Sequence, residues 1–537
     1  MPDSDSVWIV PVLFGSSEPT ADSCEFDLLK NHKTSDRSQR GFWEGLTEPP
    51  SENRRLPKAI LLDLTLISVL ILYFLHFGIC SLSAPFRPDD MMNMWRYWHS
   101  GWLKAVGESL CFWSSIGRPF AAFYYLPLYS FFDLHPKPYR VVTIALITAA
   151  IPIAYSLARS LSSSRSVAFL TVFAWCYHPR LSNLVFLNLF IYDVLCTIFF
   201  LAVLAWYVHI REQNRSLKLL ELAGCFALYI CALDSKEMAV TLPVIVLLYE
   251  LVKYCHAKER QKLSRWIWHD ASPALAAGLV TSIYCYNKIY GPDSWAAHGI
   301  EAYVPHYSWR AFTTSNAAFL SHIFYLFPYH VITGAGLLVV WSLVFLYGFL
   351  RRSRMLQLMA FWIVITPLPL AFVSAREGGC LTIILFGWAM IFAKAISDLS
   401  LLITRLPLLQ KTTVIPLRAG VMLCVLILLG VGTERQNRRY GLGWLHGGEK
   451  TAHVIEAFRA LNLRPKPGSK ILLQGNPFAG SSGTGPWAPL FIASLHWNDP
   501  SLTVYQEGQN VLPPKIAEMN YVLAVQEYKV DLVRRVH

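Results

Sequence analysis

Long apolar stretches recur along this 537-residue chain and restrict its fold more than any other feature. A helix needs about 20 residues to cross a hydrocarbon core about 30 Å thick, and an α-helix satisfies its own backbone hydrogen bonds there. Such stretches occur at residues 59-80, 139-158, 166-178, 184-209, 217-233, 238-254, 271-287, 329-350, 355-373, 380-400 and 413-432. The sequence therefore predicts an α-helical polytopic membrane protein with about 11 transmembrane helices. With 54% hydrophobic and 15% charged residues, an ordinary soluble protein is excluded.

The sequence around these stretches divides the chain into three regions. Residues 1-58 are polar and lack an early apolar core, so we expect a cytoplasmic tail and no cleavable signal peptide. Residues 59-432 form the predicted transmembrane domain, with long external loops at 81-138 and 288-328. Residues 433-537 combine Pro-, Gly- and Ser-rich turns with strand-like runs at 470-474, 502-505 and 521-525. We expect this last region to be a small extracytoplasmic α/β domain.

Cofactor motifs are missing from the sequence. The Gly-rich stretch 475-485 lacks the GK[ST] ending of a phosphate-binding loop and does not fit GxGxxG, which favours a plain loop. The eleven Cys are scattered without CxxC or Cys/His ligand spacing, so neither a zinc site nor a disulfide framework is indicated. We therefore expect no particular cofactor, and a divalent metal is left open.

The distribution of basic residues predicts the orientation in the membrane. The formal net charge is +12, but Lys and Arg concentrate in short connections between apolar stretches, as the positive-inside rule requires, so we expect no nucleic-acid partner. With the N-terminus inside, the internal connections contain Arg159, Arg165, Arg211, Arg215, Lys218, Lys253, Lys258, Arg260, Lys262, Arg265, Arg351, Arg352, Arg354, Arg405, Lys411 and Arg418. Each short external connection carries one basic residue, namely Arg180, Lys236 or Arg376. The C-terminus is therefore predicted to be extracytoplasmic.

An acidic pair follows the first predicted span. In Phe86-Arg87-Pro88-Asp89-Asp90 the neighbouring carboxylates repel, so one of them could act as a base towards a hydroxyl. A solvated loop with a helix N-cap is the structural alternative.

Three more polar clusters lie on the same predicted face. Asp193 stands in an apolar run and needs a cation or a hydrogen-bonding pocket, and His178 precedes it at the same external end. Lys236 could meet a lipid phosphate with Glu237 orienting it, or the two could form a simple ion pair. Arg376 offers a fork suited to phosphate, with snorkelling at the interface as the alternative. All four clusters could therefore line one cavity.

At these residues the chain resembles the GT-C superfamily of membrane glycosyltransferases, particularly protein O-mannosyltransferases and their transmembrane relatives with TPR repeats. Asp89 and Asp90 match the acidic pair of the first external loop. His178-Pro179 with Asp193 fifteen positions later, and the turn Ser235-Lys236-Glu237, are similar to motifs of the TPR-bearing relatives. Arg376 followed by Gly387-Trp388-Ala389 is similar to bacterial members. The resemblance spans residues 60-400, but Ile191 replaces an Arg common before the acidic residue, and no TPR array follows.

The resemblance implies a reaction on the extracytoplasmic face. A polyprenyl-phosphate sugar, with mannose as one candidate, would enter from the bilayer with its phosphate held by Lys236 and Arg376. Asp89 or Asp90 would deprotonate an acceptor hydroxyl, and Asp193 and His178 would orient the acceptor or the loop of the acidic pair. The bacterial relatives favour an inner membrane, although an endoplasmic reticulum membrane obeys the same physics.

Two other readings of the sequence stay open. A transporter or flippase of lipid-linked substrates would also carry charges near the membrane face, although the chain shows no evident internal repeat. An inactive scaffold of the same fold is the other alternative. The sequence does not identify the sugar, the acceptor, the base of the acidic pair, a metal requirement or the oligomeric state.

Labelling from outside the cell tests the predicted topology. Ser482→Cys should react with a membrane-impermeant maleimide in intact cells above the background of the parent chain, because an odd number of crossings separates it from the N-terminus. Ser216→Cys, in a predicted cytoplasmic connection, is the control and should react only after lysis. Protection of Ser482→Cys until lysis would contradict the predicted orientation.

Overall fold

The computed structural model describes residues 58–109, 111–113, 117–259, 261–292, 304–326, 332–373, 376, 378–403, 414–440, 443–481, 483–508 and 516–535. Almost all of the predicted cytoplasmic tail, parts of the loop 288-328, Glu377 and Ser482 lie outside these residues. Residues Lys58–His537 form one compact unit.

Helices dominate this unit. In chain order, the first are α1 (Lys58–Gly78), α2 (Pro88–Ser100), α3 (Trp102–Ser109), α4 (Ala122–Phe132), α5 (Pro136–Ser162), α6 (Arg165–Cys176), α7 (Asn183–Phe186), α8 (Ile191–Glu212), α9 (Leu219–Ser235), α10 (Leu242–Cys255), α11 (Leu263–Trp266) and α12 (Ser272–Tyr290). They are followed by α13 (Trp309–Ile323), α14 (Gly334–Leu350), α15 (Arg354–Ile365), α16 (Leu368–Ala371), α17 (Thr382–Ile403), α18 (Val414–Tyr440), α19 (Gly443–His446) and α20 (Glu449–Ala460). The predicted helical class is therefore confirmed.

Each of the eleven predicted spans contains a helix, but not every helix is long enough to be recognised as a crossing. Among the described residues, seven segments are long and apolar enough by length and composition: Lys58–Ser83, Pro136–Ser162, Asn188–Glu212, Glu237–Cys255, Arg354–Ala371, Gly378–Ile403 and Ala419–Ala460. Helices α6 and α14 are apolar but shorter. An integral membrane protein is thus supported, while the number of crossings and their orientation stay predictions.

The C-terminal region contains a small mixed sheet. Its elements are β1 (Lys470–Gln474), α21 (Ala488–Trp497), β2 (Thr503–Gln506), β3 (Tyr521–Val525) and β4 (Val530–Arg535). The strand order is β2-β1-β3-β4, in which β1 pairs in parallel with β2 and β3, and β4 is antiparallel to β3. The three predicted strands are present, and β4 was not expected. Helix α21 makes the crossover that a parallel β1–β2 pair requires.

Helices α2 and α4, which lie between α1 and α5 in the chain, pack against this C-terminal region. Trp95 of α2 lies 5.2 Å from Phe491 of α21 between ring centroids, and Trp98 Nε1 donates a 2.7 Å hydrogen bond to Asn498 Oδ1. The Tyr129 hydroxyl of α4 donates to the Leu495 carbonyl oxygen. The C-terminal region therefore covers helix α2, which carries the acidic pair.

Gly387 permits close packing of helix α17 against helix α15. A Cβ atom on Gly387 of α17 would lie 2.4 Å from Cδ1 of Trp362 on α15. Trp362 is fully buried, and its Nε1 donates a 2.8 Å hydrogen bond to the Ile383 carbonyl oxygen. Because the indole is fixed, it cannot give way to a larger residue. Gly387 of the Gly387-Trp388-Ala389 motif thus has a packing function.

Gly387→Ala should lower the stability of the helical bundle, since overpacking of a close-packed core costs about 1–3 kcal/mol. The measurement is the thermal midpoint of the detergent-extracted protein, followed by size-exclusion chromatography. Gly430→Ala on α18 is the control, because a Cβ there would meet nothing within 4 Å. Equal midpoints for the two variants would contradict the packing of Trp362 on Gly387.

Candidate active site

Asp90 lies at the start of α2 and is fully buried. Its Oδ2 accepts a 3.0 Å hydrogen bond from Arg87 N, which closes a capping interaction, and its Oδ1 accepts a 2.8 Å bond from Leu189 N. Arg140 Nη2 of α5 is 3.7 Å from Oδ2. Burial raises the pKa of the Asp90 carboxyl, while Arg140 and the two backbone donors oppose that rise. Both oxygens are therefore occupied by protein groups.

Asp89 has a different environment although it is the adjacent residue. Its side chain is partly exposed, and Oδ1 accepts a hydrogen bond from the hydroxyl of Thr484, in the C-terminal region. Successive residues on a helix point about 100° apart, so Asp89 faces away from the buried side that Asp90 occupies. Of the acidic pair, Asp89 is the carboxylate that a substrate could reach.

Asp193 and Lys236 form a buried ion pair. Asp193 lies in the first turn of α8, and Lys236 lies between α9 and the 3-10 turn Glu237–Thr241. Lys236 Nζ donates a 2.5 Å hydrogen bond to Asp193 Oδ1 and is 3.3 Å from the Cys380 sulfur. Each side chain is about 5% exposed, because each partner replaces the water that the other has lost. The cation that Asp193 was expected to need is therefore Lys236.

Glu237 is bound by an arginine that the sequence reasoning missed. Arg118 donates from Nε to Oε1 at 3.2 Å and from Nη2 to Oε2 at 3.1 Å, which is the bidentate geometry typical of a strong pair. Its guanidinium lies 5.0 Å from the ring centroid of Tyr192. Glu237 thus pairs with Arg118, and the proposed Glu237–Lys236 loop pair is not among the ion pairs of the described residues.

Two tyrosines, Tyr97 and Tyr192, connect helix α2 with the start of α8 and with the Arg118–Glu237 pair. The Tyr192 hydroxyl donates a 2.9 Å hydrogen bond to Asn93 Oδ1 of α2. The Tyr97 hydroxyl, one turn further along α2, donates to the Arg118 carbonyl oxygen at 2.7 Å and lies 3.2 Å from the Tyr192 hydroxyl. The helix of the acidic pair is therefore connected through Asn93 and Tyr97 to the start of α8 and to the Arg118–Glu237 pair.

The short stretch of chain between Arg376 and Cys380 limits how far Arg376 can lie from this network. Cys380, which touches Lys236, is four residues later, so the Cα atoms of Arg376 and Cys380 are at most about 14 Å apart. Gly379, directly before Cys380, is held by Asn183, whose Oδ1 accepts a 2.8 Å hydrogen bond from Gly379 N. A Cβ atom on Gly378, which has a φ of +67°, would also collide with the Asn183 side chain.

His178 borders a cavity that the other predicted site residues do not line. Its Nε2 is 3.0 Å from the Ile323 carbonyl oxygen, and its ring stacks on Tyr325 at 4.7 Å. A mostly apolar cavity of about 300 Å³ adjoins it, lined also by Trp388 and Ala389 of the Gly387-Trp388-Ala389 motif. None of the other predicted site residues is among the residues that line this cavity.

Of the two arginines that the sequence analysis did not single out, Arg140 had a recognisable signal and Arg118 did not. Arg140 lies inside a predicted span, where an ionisable residue calls for a partner such as Asp90. Arg118 had no comparable local signal, since its partner is 119 residues away. Metal ligation was also tested: no group of three or more His, Cys, Asp or Glu side chains able to hold a metal ion occurs in the described parts of the chain.

Comparisons with known proteins give structural similarities only. No family model and no curated protein matches the chain. Among solved structures, ArnT from Cupriavidus metallidurans matches with a TM-score of 0.48 and 11% identity, covering 84% of this chain and 87% of that one. The Archaeoglobus fulgidus oligosaccharyltransferase, tethered to an acceptor peptide with an NVT sequon, matches with 0.45 and 10%, covering 82% and 63%.

Both matches have TM-scores below 0.5 and identities near 10%, so neither decides what this chain does. Identities this low concern the fold alone. With TM-scores below 0.5, donor, sugar and acceptor have to be argued from the residues of the site.

A double-mutant cycle measures the Asp193–Lys236 pair. Lys236→Met should destabilise the protein by about 3–5 kcal/mol because it leaves a buried carboxylate without its cation, and Asp193→Leu should do the same to the ammonium. The double variant should be more stable than either single variant, because no buried charge remains. The readout is the thermal midpoint in detergent.

Lys529→Met is the control for loss of a lysine, since Lys529 pairs with Asp531 at the surface and such pairs contribute about 0–1 kcal/mol. Additive losses in the double variant would show that Asp193 and Lys236 do not interact.

Proposed function

We propose that this chain is a membrane glycosyltransferase that moves a sugar from a polyprenyl-phosphate sugar to an acceptor hydroxyl on the extracytoplasmic face. The observation that carries the proposal is the difference between the two members of the acidic pair. Asp90 is buried, and both of its carboxylate oxygens accept hydrogen bonds. Asp89 is partly exposed, and among the described residues only its Oδ1 accepts a hydrogen bond. An accessible carboxylate beside a rigid anchor fits a general base, because the base must be held in place and still reach its proton.

Asp89 is the base in this mechanism. It takes the proton from the acceptor hydroxyl as the oxygen attacks the anomeric carbon of the donor. The bond from that carbon to the lipid-phosphate oxygen breaks, and the polyprenyl phosphate leaves with the bonding electrons, so that the anomeric configuration inverts. Asp90 has no proton-transfer role here and instead fixes the helix that carries Asp89.

The leaving phosphate needs cations, and Lys236 and Arg376 are proposed to supply them, with Arg118 as an addition. An ammonium has three N–H donors, and Lys236 directs one to Asp193 Oδ1 and a second to Cys380 Sγ. Arg118 has five N–H donors and directs two of them to Glu237. Both cations are held in place by these carboxylates, and Lys236 has a third N–H donor for a phosphate. Asp193 and Glu237 act as positioning residues for these two cations.

His178 takes a separate place in the proposal. His178 borders the apolar cavity and not the acidic pair. It is therefore proposed to orient the segment that connects α6 to α8, the helix of Asp193. The 3-10 turn Pro179–Leu181 follows His178 directly, and α8 begins at Ile191, after the short helix α7.

The proposal is tested with purified protein in lipid nanodiscs and radiolabelled polyprenyl-phosphate sugars, with mannose first. The measured quantities are loss of label from the lipid and its appearance on candidate acceptors. Asp89→Asn should lower kcat by about 10²–10⁴-fold at an unchanged thermal midpoint, because the amide keeps the shape but cannot accept the proton.

Asp90→Asn should mainly lower the thermal midpoint, since it leaves Arg140 buried without its anion. Asp531→Asn, an exposed carboxylate on β4, is the control for the substitution itself. The proposed base is wrong if Asp89→Asn transfers sugar as fast as the parent chain. Donor lipid that moves across the bilayer with its sugar attached would instead identify a flippase.

A further inference from the structure

We infer that Thr484 of the C-terminal region is a positioning residue for Asp89, so that the Gly-rich segment 475–487 completes the active site. This inference rests on the proposed function. Sequence reasoning treated most of this segment as a plain loop. The structure brings its threonine hydroxyl into a hydrogen bond with the partly exposed carboxylate of the acidic pair.

Within the described residues 475–481 and 483–487, hydrogen bonds hold the segment around Thr484. Asn476 ties its two ends together, because its Nδ2 donates to the Pro486 carbonyl oxygen at 2.8 Å while its Oδ1 accepts from Phe478 N at 2.9 Å. Lys450 Nζ of α20 donates to the Pro477 carbonyl oxygen at 3.1 Å. On the other side, the Thr484 carbonyl oxygen accepts from Trp487 N at 3.0 Å and starts the turn into α21.

The approach of the C-terminal region to α2 is fixed by contacts outside the segment that carries Thr484. Near the start of α2, the Arg87 guanidinium lies 4.7 Å from the Trp444 ring centroid. A Cβ atom on Gly448 would be 2.5 Å from the Phe86 carbonyl oxygen, which shows how closely the backbones approach. At the other end of α2, Trp98 is hydrogen-bonded to Asn498. The C-terminal region therefore holds both ends of the helix that carries Asp89.

The hydrogen bond has a direct chemical consequence. Thr484 donates its single proton to Oδ1 and so restricts rotation of the Asp89 carboxylate. The second carboxylate oxygen, Oδ2, then has a fixed direction in which to accept the proton of an acceptor hydroxyl. A hydrogen bond to a charged group contributes about 1.5–3 kcal/mol, which corresponds to about 10- to 100-fold in rate if it is fully used in the transition state.

The test compares two substitutions at one position. Thr484→Val removes the hydroxyl at nearly constant shape and should lower kcat about 10- to 100-fold with little change in the KM for the lipid donor. Thr484→Ser keeps the hydroxyl and should restore kcat to within a few-fold of the parent. In an Asp89→Asn background, Thr484→Val should cause no further loss, because the group it positions is already inactive.

Thr451→Val on α20 is the matched control. Thr451 is buried in the same C-terminal region, and its hydroxyl has no hydrogen-bond partner in the part of the chain that the structure describes. Its replacement by Val should leave kcat unchanged. Thermal midpoints of all variants are measured in parallel.

The outcomes separate this inference from the proposed function. If Asp89→Asn is inactive while Thr484→Val keeps the parent rate, the inference is overturned and the proposed function stands. If Thr484→Val and Thr484→Ser lose activity equally, with lowered thermal midpoints, Thr484 is structural only and the inference is again overturned. If Asp89→Asn retains the parent rate, the proposed function fails and the inference fails with it.

Discussion

The buried pair of Asp90 and Arg140 is the interaction on which the geometry of the candidate site depends. A carboxylate removed from water costs several kcal/mol unless it is paired and hydrogen-bonded. Asp90 meets that requirement with Arg140 and two backbone N–H groups, and Arg140 is itself held by Asn188 Oδ1 at 2.6 Å. The pair joins α2, α5 and the turn before α8. Because Asp90 must face inward, helix geometry sends Asp89 to another side, towards Thr484.

The need to pair buried charges also determines how the cations of the proposed phosphate site are held. Lys236 and Arg118 are each matched by a carboxylate, Asp193 and Glu237, from a different element. Pairing holds the cations in place before any substrate arrives, so less conformational entropy is lost on binding. It also lowers the free positive charge, which explains why a site for a dianionic phosphate needs more than one cation.

The fold was predictable from the sequence to the extent that its signals are local. Hydropathy located a helix at each predicted span, and β-branched runs located three strands, since both patterns act over a few residues. The pairings were not predictable in this way. Arg118 and Glu237 are 119 positions apart, and Thr484 and Asp89 are 395 apart, so no local pattern links them. The acidic pair was recognised, but its two members became distinguishable only when Leu189 and Arg140 were seen around Asp90.

A second buried charge cluster shows why burial and pairing alone do not mark a reaction centre. At the far end of α8, Arg211 donates to Glu250 from Nε at 2.6 Å and from Nη2 at 2.9 Å, and also contacts Asp270 at 2.5 Å. Asp193 and Arg211 are 18 residues apart on one helix, or about 27 Å, close to the thickness of a hydrocarbon core.

The two clusters therefore lie where α8 would meet the two membrane surfaces. In the cluster at the Arg211 end, both Glu250 oxygens accept hydrogen bonds from Arg211, and both Asp270 oxygens accept hydrogen bonds as well. Such a cluster anchors helices, and each oxygen of its two carboxylates already accepts a hydrogen bond. Asp89 is also partly exposed, but among the described residues only its Oδ1 accepts a hydrogen bond, and this difference supports placing the proposed chemistry at the end of the bundle that the C-terminal region covers.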